Sequence, residues 1–194
     1  MTTVKSLCVY CGSSTGADAR HREAAARLGG LLAERGIELV FGGGRIGLMG
    51  VIADAALAAG GRVTGVIPRN LTSAELAHEG VSEMVVVDSM HARKQRMFEL
   101  SHAFAILPGG LGTLDEGIEI ITWKQLRLHD KPIVLVDDAG YWAPFRALVE
   151  KVIAGGFARP EAASLFTVVK SVDDILPALA AMPEPAISGE PGRL

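Results

Sequence analysis

Short apolar runs rich in β-branched residues alternate with helix-like segments along almost the whole chain. Strands are expected at 4–11, 37–41, 62–67, 83–87, 103–107, 132–136 and 165–169. Helices are expected near 18–35, 47–59, 89–100, 113–128, 141–154 and 172–181. Several strand runs are apolar at every position, Ile133-Val134-Leu135-Val136 among them, whereas a strand with one wet face alternates. Parallel strands covered on both faces read this way. The expected fold class is therefore α/β: a doubly wound, mainly parallel sheet of about seven strands flanked by helices. Ligands of such sheets sit outside the carboxyl ends of the strands, so the strand-to-helix loops are the places to search.

The chain has 194 residues, 49% of them hydrophobic and 21% charged, an ordinary globular composition. One domain is expected over 1–182. The remainder, 183–194, holds three Pro and two Gly with almost no apolar period and is expected to be a flexible tail. Nineteen Lys and Arg against 22 Asp and Glu give a net charge of −3. This balance argues against nucleic acid or an anionic membrane as partner but leaves room for a small anionic ligand. No apolar run approaches the roughly 18 residues of a membrane span. Met1-Thr2-Thr3-Val4-Lys5 leads directly into a strand without a signal-peptide layout, so the cytoplasm is the expected location. Cys8 and Cys11 form a C-x-x-C pair, but positions i and i+3 on a strand face opposite sides of the sheet. With no second Cys or His pair nearby to complete a zinc site, they are expected to be core residues, and no metal is expected.

Three of the strand-to-helix loops are rich in small residues: Cys11-Gly12-Ser13-Ser14-Thr15-Gly16, the glycine loop 42–50 that includes Gly43 and Gly44, and Pro108-Gly109-Gly110-Leu111-Gly112-Thr113. Glycine allows close approach of backbone to ligand, and each following helix begins with free N–H groups and a positive dipole end. Together they can cradle a phosphate. A dipole end contributes only about 0.3–1 kcal/mol, against roughly 8 kcal/mol for micromolar affinity, so several N–H bonds and a base pocket must add to it. The usual nucleotide fingerprints are absent. The first loop lacks G-x-G-x-x-G, the second strand ends without an acid to hold a ribose hydroxyl, and no G-K-[ST] follows Gly44.

Two charged residues stand out. In Met90-His91-Ala92-Arg93-Lys94-Gln95-Arg96-Met97 the helical period puts Arg93 between Met90 and Met97 on the apolar stripe. It is either a snorkelling or ion-paired arginine or one held to meet an anion or a ribose oxygen. Glu116 closes Thr113-Leu114-Asp115-Glu116, which reads as a capping box. A carboxylate about 6 Å from a phosphate charge, at an effective dielectric of about 20, is repelled by about 3 kcal/mol. A binder gains nothing from that; a glycosidase gains a group that stabilises an oxocarbenium-like sugar or activates water.

Pro108-Gly109-Gly110-Leu111-Gly112-Thr113-Leu114-Asp115-Glu116 resembles the P-G-G-x-G-T-x-x-E signature of the Lonely Guy family, the cytokinin-activating phosphoribohydrolases. Met90-His91-Ala92-Arg93-Lys94 resembles its Arg-Lys motif, and 42–50 its G-G-G-x-x-G-L-M-G loop; the resemblance covers about residues 4–182. It implies a Rossmann-like fold, no organic cofactor, and assembly as homodimers or larger. The activity implied is hydrolysis of N6-modified adenosine 5′-monophosphates, and of AMP in some members, to free base and ribose 5-phosphate. Carried over by position, Arg93 and Glu116 are the catalytic pair. Gly109, Gly110, Leu111, Gly112 and Thr113 bind phosphate and ribose, with Gly12, Ser13, Gly43 and Gly44 on the neighbouring loops. Glu75, Lys94 and Thr122 also line the site. Apart from the resemblance, base preference is expected to depend on pocket shape around Met90, Trp123 and residues of a partner subunit. The helix after the signature is apolar around most of its circumference, through Leu114, Ile118, Ile120, Ile121, Trp123, Leu126 and Leu128, so it is buried on more than one side. Either it lies deep in the monomer or it packs against a second subunit, and the family's dimeric habit favours the second. The rival readings are a non-catalytic nucleotide sensor or carrier on the same fold, and a lysine decarboxylase holding pyridoxal phosphate on a lysine.

Overall fold

The computed structural model describes residues 4–72, 76–183 and 185–186. Among them the elements run β1 (Ser6–Tyr10), α1 (Ala19–Glu34), β2 (Glu38–Phe41), α2 (Gly47–Ala58), β3 (Val63–Pro68), β4 (Glu83–Val87), α3 (Met90–Leu100), β5 (Ala103–Ile106), α4 (Leu111–Gln125), β6 (Ile133–Val136), α5 (Ala143–Ala154), β7 (Thr167–Val169) and α6 (Ile175–Ala181). Every expected strand and helix is present. Residue 184 and residues 187–194 of the expected tail lie outside the described residues.

All seven strands pair in parallel, in the order β4-β3-β2-β1-β5-β6-β7. The order reverses between β1 and β5, and that switch point opens a crevice at the carboxyl ends of the strands. Successive residues of β1 serve opposite layers. Leu7 and Val9 pack with Leu28 and Leu32 of α1, Ile52 and Ala56 of α2, and Ile175 and Leu179 of α6. Cys8 and Tyr10 pack on the other face with Met97 and Phe98 of α3 and Ile120 of α4. Helices on both faces leave no wet side for a polar alternate, hence the unbroken apolar runs. Cys8 and Cys11 fall in opposite layers as free thiols. Burial pushes both far above the ordinary thiol pKa, so neither is a ready nucleophile.

Helix α4 begins at Leu111, with Gly110 as its N-cap and no side-chain cap bond. The expected start at Thr113 is two residues late. The capping-box reading of Thr113 and Glu116 therefore fails: Thr113 occupies the third helical position and Glu116 the sixth, a full turn inside. A β-carbon on Gly109 would overlap Thr113 and crowd Gly12. The turn after β5 can thus fold tightly against both the start of its helix and the loop after β1.

Candidate active site

The C-terminal rim carries a cleft of about 310 Å³, and Arg93, Glu116, Gly110, Leu111, Gly112, Thr113, Ser13 and Gly44 line it. Three strands deliver its parts. The turn after β5 and the first turn of α4 supply one wall, the glycine loop after β2 supplies another, and α3 reaches underneath with Arg93. This volume is near the lower end of the roughly 300–1,000 Å³ common for small-molecule pockets.

Arg93 and Glu116 meet beneath this cleft. Arg93 Nη1 donates to Glu116 Oε1 at 2.9 Å, Nε to the carbonyl oxygen of Val66 at 3.1 Å, and Nη2 to that of Gly42 at 3.2 Å. The guanidinium is thereby fixed to the ends of β2 and β3 as well as to α4. Arg93 and Glu116 are 9% and 8% exposed, so the ion pair is largely withdrawn from water. Gly42 makes this possible, because a β-carbon there would collide with Nη2 of Arg93. Burial raises the Glu116 pKa above the usual carboxylate range, while the charge of Arg93 opposes the shift without cancelling it. A carboxyl group poised in this way, beside a cleft, can accept a proton from water or face a developing positive charge.

The other expected site residues divide. Gly12 and Gly109 line a second cleft on the far side of the 108–110 turn, which meets the first at Ser13 and Gly110. Gly43 is buried in a left-handed conformation (φ 75°) behind the first cleft, where an added β-carbon would press on Ile67 and Met84. Lys94 faces the flank of α4, with Nζ 3.1 Å from Asp115 and 3.0 Å from Glu119. Burial lowers its pKa, but the two carboxylates outweigh that and the net shift is upward. Met90, at the start of α3, is exposed, and Thr122 is exposed on the outer side of α4 with its hydroxyl donating to the carbonyl of Ile118. Trp123 is partly buried and lies edge-on against Phe98 at the border of the core. None of these last four lines the cleft of the single chain, and Glu75 lies outside the described residues.

Sequence reasoning missed the apolar lining, formed by Cys11, Ile46, Met49, Ile67, Leu71 and Leu76. Ile46 and Met49 stand inside the recognised glycine loop, and Ile67 ends a strand at the rim, so position pointed to them. Leu76 is brought in by the backbone: Arg45 N–H donates to the Leu76 carbonyl, and His78 N–H to that of Gly43. Nothing local in the sequence announces that pairing.

Residues 49–179 match the family model described as possible lysine decarboxylase. The chain is 43% identical over 180 residues to a cytokinin riboside 5′-monophosphate phosphoribohydrolase of Arabidopsis thaliana, covering 89% of this chain and 84% of that protein. It is 44% identical over 178 residues to the enzyme of that name from Rhodococcoides fascians, covering 91% and 90%. The chain belongs to the Lonely Guy family of phosphoribohydrolases. Among solved structures, a molybdenum cofactor binding protein from Rippkaea orientalis superposes with a TM-score of 0.70 at 20% identity, covering 93% of this chain and 98% of that one. The molybdenum cofactor carrier protein of Chlamydomonas reinhardtii gives 0.69 at 22%, covering 92% and 97%. These two share the Rossmann-like fold.

The lysine decarboxylase description of the family model does not fit this site. Decarboxylation through pyridoxal phosphate needs a lysine amine in the pocket to form the Schiff base. Among the described residues no lysine lines the cleft, and Lys94, adjacent to Arg93 in sequence, is turned away to Asp115 and Glu119. The Lonely Guy member thus offers a carboxylate and a guanidinium where such chemistry would require an amine.

Proposed function

We propose that this protein hydrolyses the N-glycosidic bond of N6-modified adenosine 5′-monophosphates, and of AMP, releasing the free base and ribose 5-phosphate. The observation that carries this reading is the buried Arg93–Glu116 pair, 2.9 Å apart, at the wall of a cleft that also holds the glycine-rich start of α4. The 5′-phosphate sits at the α4 N-terminus, on the backbone N–H groups of residues 110–113 and the Thr113 hydroxyl. The base lies against Ile46, Met49, Ile67, Leu71 and Leu76.

Glu116 stabilises the positive charge that develops at C1′ and orients a water molecule. The water oxygen bonds to C1′ and passes a proton to Glu116 as the C1′–N bond breaks; the electron pair of that bond leaves with the base, which takes up a proton, and Glu116 then releases its own. Arg93 holds Glu116 in place and polarises the ribose hydroxyls. Acid–base assistance of this type is worth about 10²–10⁴ in rate.

A non-catalytic carrier would bind through the same loops, but it gains nothing from a buried carboxylate beside a phosphate. The relatives named as phosphoribohydrolases favour hydrolysis over carriage. Incubation with N6-isopentenyl-AMP, AMP and the unphosphorylated riboside, with free base followed by chromatography, tests the reading. Release from the monophosphates, and little from the riboside, is expected; tight binding of monophosphate with no release in any case would show a carrier.

The enzyme is proposed to act as a homodimer in the cytoplasm. Ile118 of α4 and Leu148 and Val152 of α5 are 47%, 55% and 37% exposed, and α5 has no buried residue in the single chain. A second copy covering this apolar face accounts for it. Among the described residues no helix is long and apolar enough to cross a membrane. Sedimentation of the wild type and of Leu148→Glu tests the dimer: the substitution is expected to yield monomer.

A further inference from the structure

The 108–110 turn has a second side. Opposite the catalytic pair lies a cleft of about 400 Å³, bounded by the loop after β1, His21 and Tyr141. There Tyr141 Oη donates to the carbonyl oxygen of Gly109 at 2.7 Å. The Tyr141 ring is gripped between two aromatic neighbours, both close to edge-on: His21 at 5.2 Å and 78°, and Trp142 at 4.9 Å and 87°. Trp142 is itself anchored, because it is 4% exposed and its backbone N–H donates to the Asp137 carboxylate at 2.8 Å. His21 is 8% exposed, and its Nδ1 has no hydrogen-bond partner among the described residues. Packing against Tyr141, rather than a bond at Nδ1, therefore orients that ring.

The consequence follows from peptide geometry. The Gly109 carbonyl and the Gly110 N–H belong to one planar trans unit, so they point in opposite directions. A hydroxyl that holds the carbonyl toward the second cleft aims the N–H toward the first. The peptides on either side are pinned, since the Pro108 carbonyl accepts from the Gly12 N–H at 3.1 Å and the Gly110 carbonyl from the Leu114 N–H at 3.0 Å. The 109–110 peptide between them joins two glycines, and Gly110 caps α4 without a side-chain bond, so the orientation of this one unit is the freedom left for Tyr141 to set. We propose that Tyr141 is a positioning residue for the 5′-phosphate: its hydroxyl fixes the 109–110 peptide so that the Gly110 N–H meets the phosphate of the bound nucleotide. This inference rests on the phosphoribohydrolase reading for where the phosphate sits, and it places the control of phosphate affinity on a residue outside the catalytic cleft.

Tyr141→Phe keeps the ring and its packing and removes only the hydroxyl. Loss of one hydrogen bond of this kind weakens an interaction by about three- to tenfold. The KM for AMP and the calorimetric Kd for ribose 5-phosphate are expected to rise together by that factor. The kcat is expected to stay within twofold, and the affinity for adenine, which has no phosphate, is expected to be unchanged. Tyr141→Ala, which also removes the ring, is expected to raise the ribose 5-phosphate Kd further at the same adenine affinity. Phosphate affinity within twofold of wild type in Tyr141→Phe would overturn the proposal, and so would equal losses for ribose 5-phosphate and adenine. Ribose 5-phosphate binding needs no turnover. A wild type inert toward every monophosphate would sink the hydrolase reading while the Tyr141 comparison still returned an answer.

Discussion

Helices α3 and α4 are bridged twice, by ion pairs one residue apart in sequence and opposite in character. Arg93 and Glu116 pair inside the fold, with side chains 11% and 10% exposed, and border the cleft. Lys94 pairs with Asp115 and Glu119 at the flank, with side chains 14%, 62% and 23% exposed. Water reaches the outer cluster chiefly at Asp115, and that screened contact is worth little to stability. The inner pair carries a desolvation penalty that its mutual attraction and the carbonyls of Val66 and Gly42 must offset. A fold seeking only to join two helices would use the outer kind. The inner kind makes sense where a charge is wanted in a cleft.

Breaking the inner pair is expected to have the largest effect. Arg93→Met leaves the Glu116 carboxylate and two carbonyls without their partner, and removal of one member of a buried pair destabilises by about 3–5 kcal/mol. Denaturant melts measure this. Arg93→Met combined with Glu116→Leu is expected to recover a large part of the loss, because the orphaned charge goes with its partner. A double variant no more stable than the single would show that the carbonyl contacts, not the ion pair, dominate.

Glu116→Gln keeps the shape and an acceptor for Arg93 but removes the charge. Turnover is expected to fall at least about a hundredfold with monophosphate binding retained. Asp115→Asn, on the preceding residue, is expected to stay within about twofold. Turnover of Glu116→Gln within threefold of wild type would abolish the distinction between the two acids.

The same burial gives a pH signature. Because the folded pKa of Glu116 is raised, kcat is expected to fall as pH drops through a value above the ordinary carboxylate range, since the ionised form is the working one. Stability runs the other way. A raised folded pKa contributes stability that is fully present below the unfolded value and is lost as pH rises through the folded one. The stability of Glu116→Gln relative to wild type is therefore expected to improve with rising pH. Rate profiles and denaturant melts at several pH values check both limbs; an acid limb that survives in Glu116→Gln would belong to another group.

The sequence makes the sheet legible because its strands are covered on both faces, so hydrophobicity alone marks them. It makes the inner pair half legible: the period of α3 turns Arg93 inward, and the awkwardness of a carboxylate near a phosphate singles out Glu116. Their meeting is not legible, since it depends on α3 and α4 packing side by side on one face. Nor is the register of α4. Thr113-Leu114-Asp115-Glu116 looks like a cap, but the helix opens earlier, from Gly110, because Gly109 packs against both Thr113 and the loop after β1. The apolar wall from Leu76 escapes for the same reason, as it arrives through backbone pairing with the glycine loop.

The smallest expected effect is the most informative about Lys94. Family resemblance puts this residue at the substrate, whereas in the single chain its amine is held by Asp115 and Glu119 away from the cleft. If that geometry persists with nucleotide bound, Lys94 acts only by tying the flank of α3 to α4. Lys94→Met, which keeps the aliphatic stem, is then expected to reduce stability by no more than about 1 kcal/mol and turnover by less than about threefold. The Asp115→Asn and Glu119→Gln double variant is expected to match it, because all three residues would serve one bridge. A tenfold rise in KM for AMP in Lys94→Met, with normal stability and no counterpart in the double variant, would mean that the amine leaves its carboxylates to reach the phosphate. The contrast between the inner and outer pairs would then describe the empty enzyme alone.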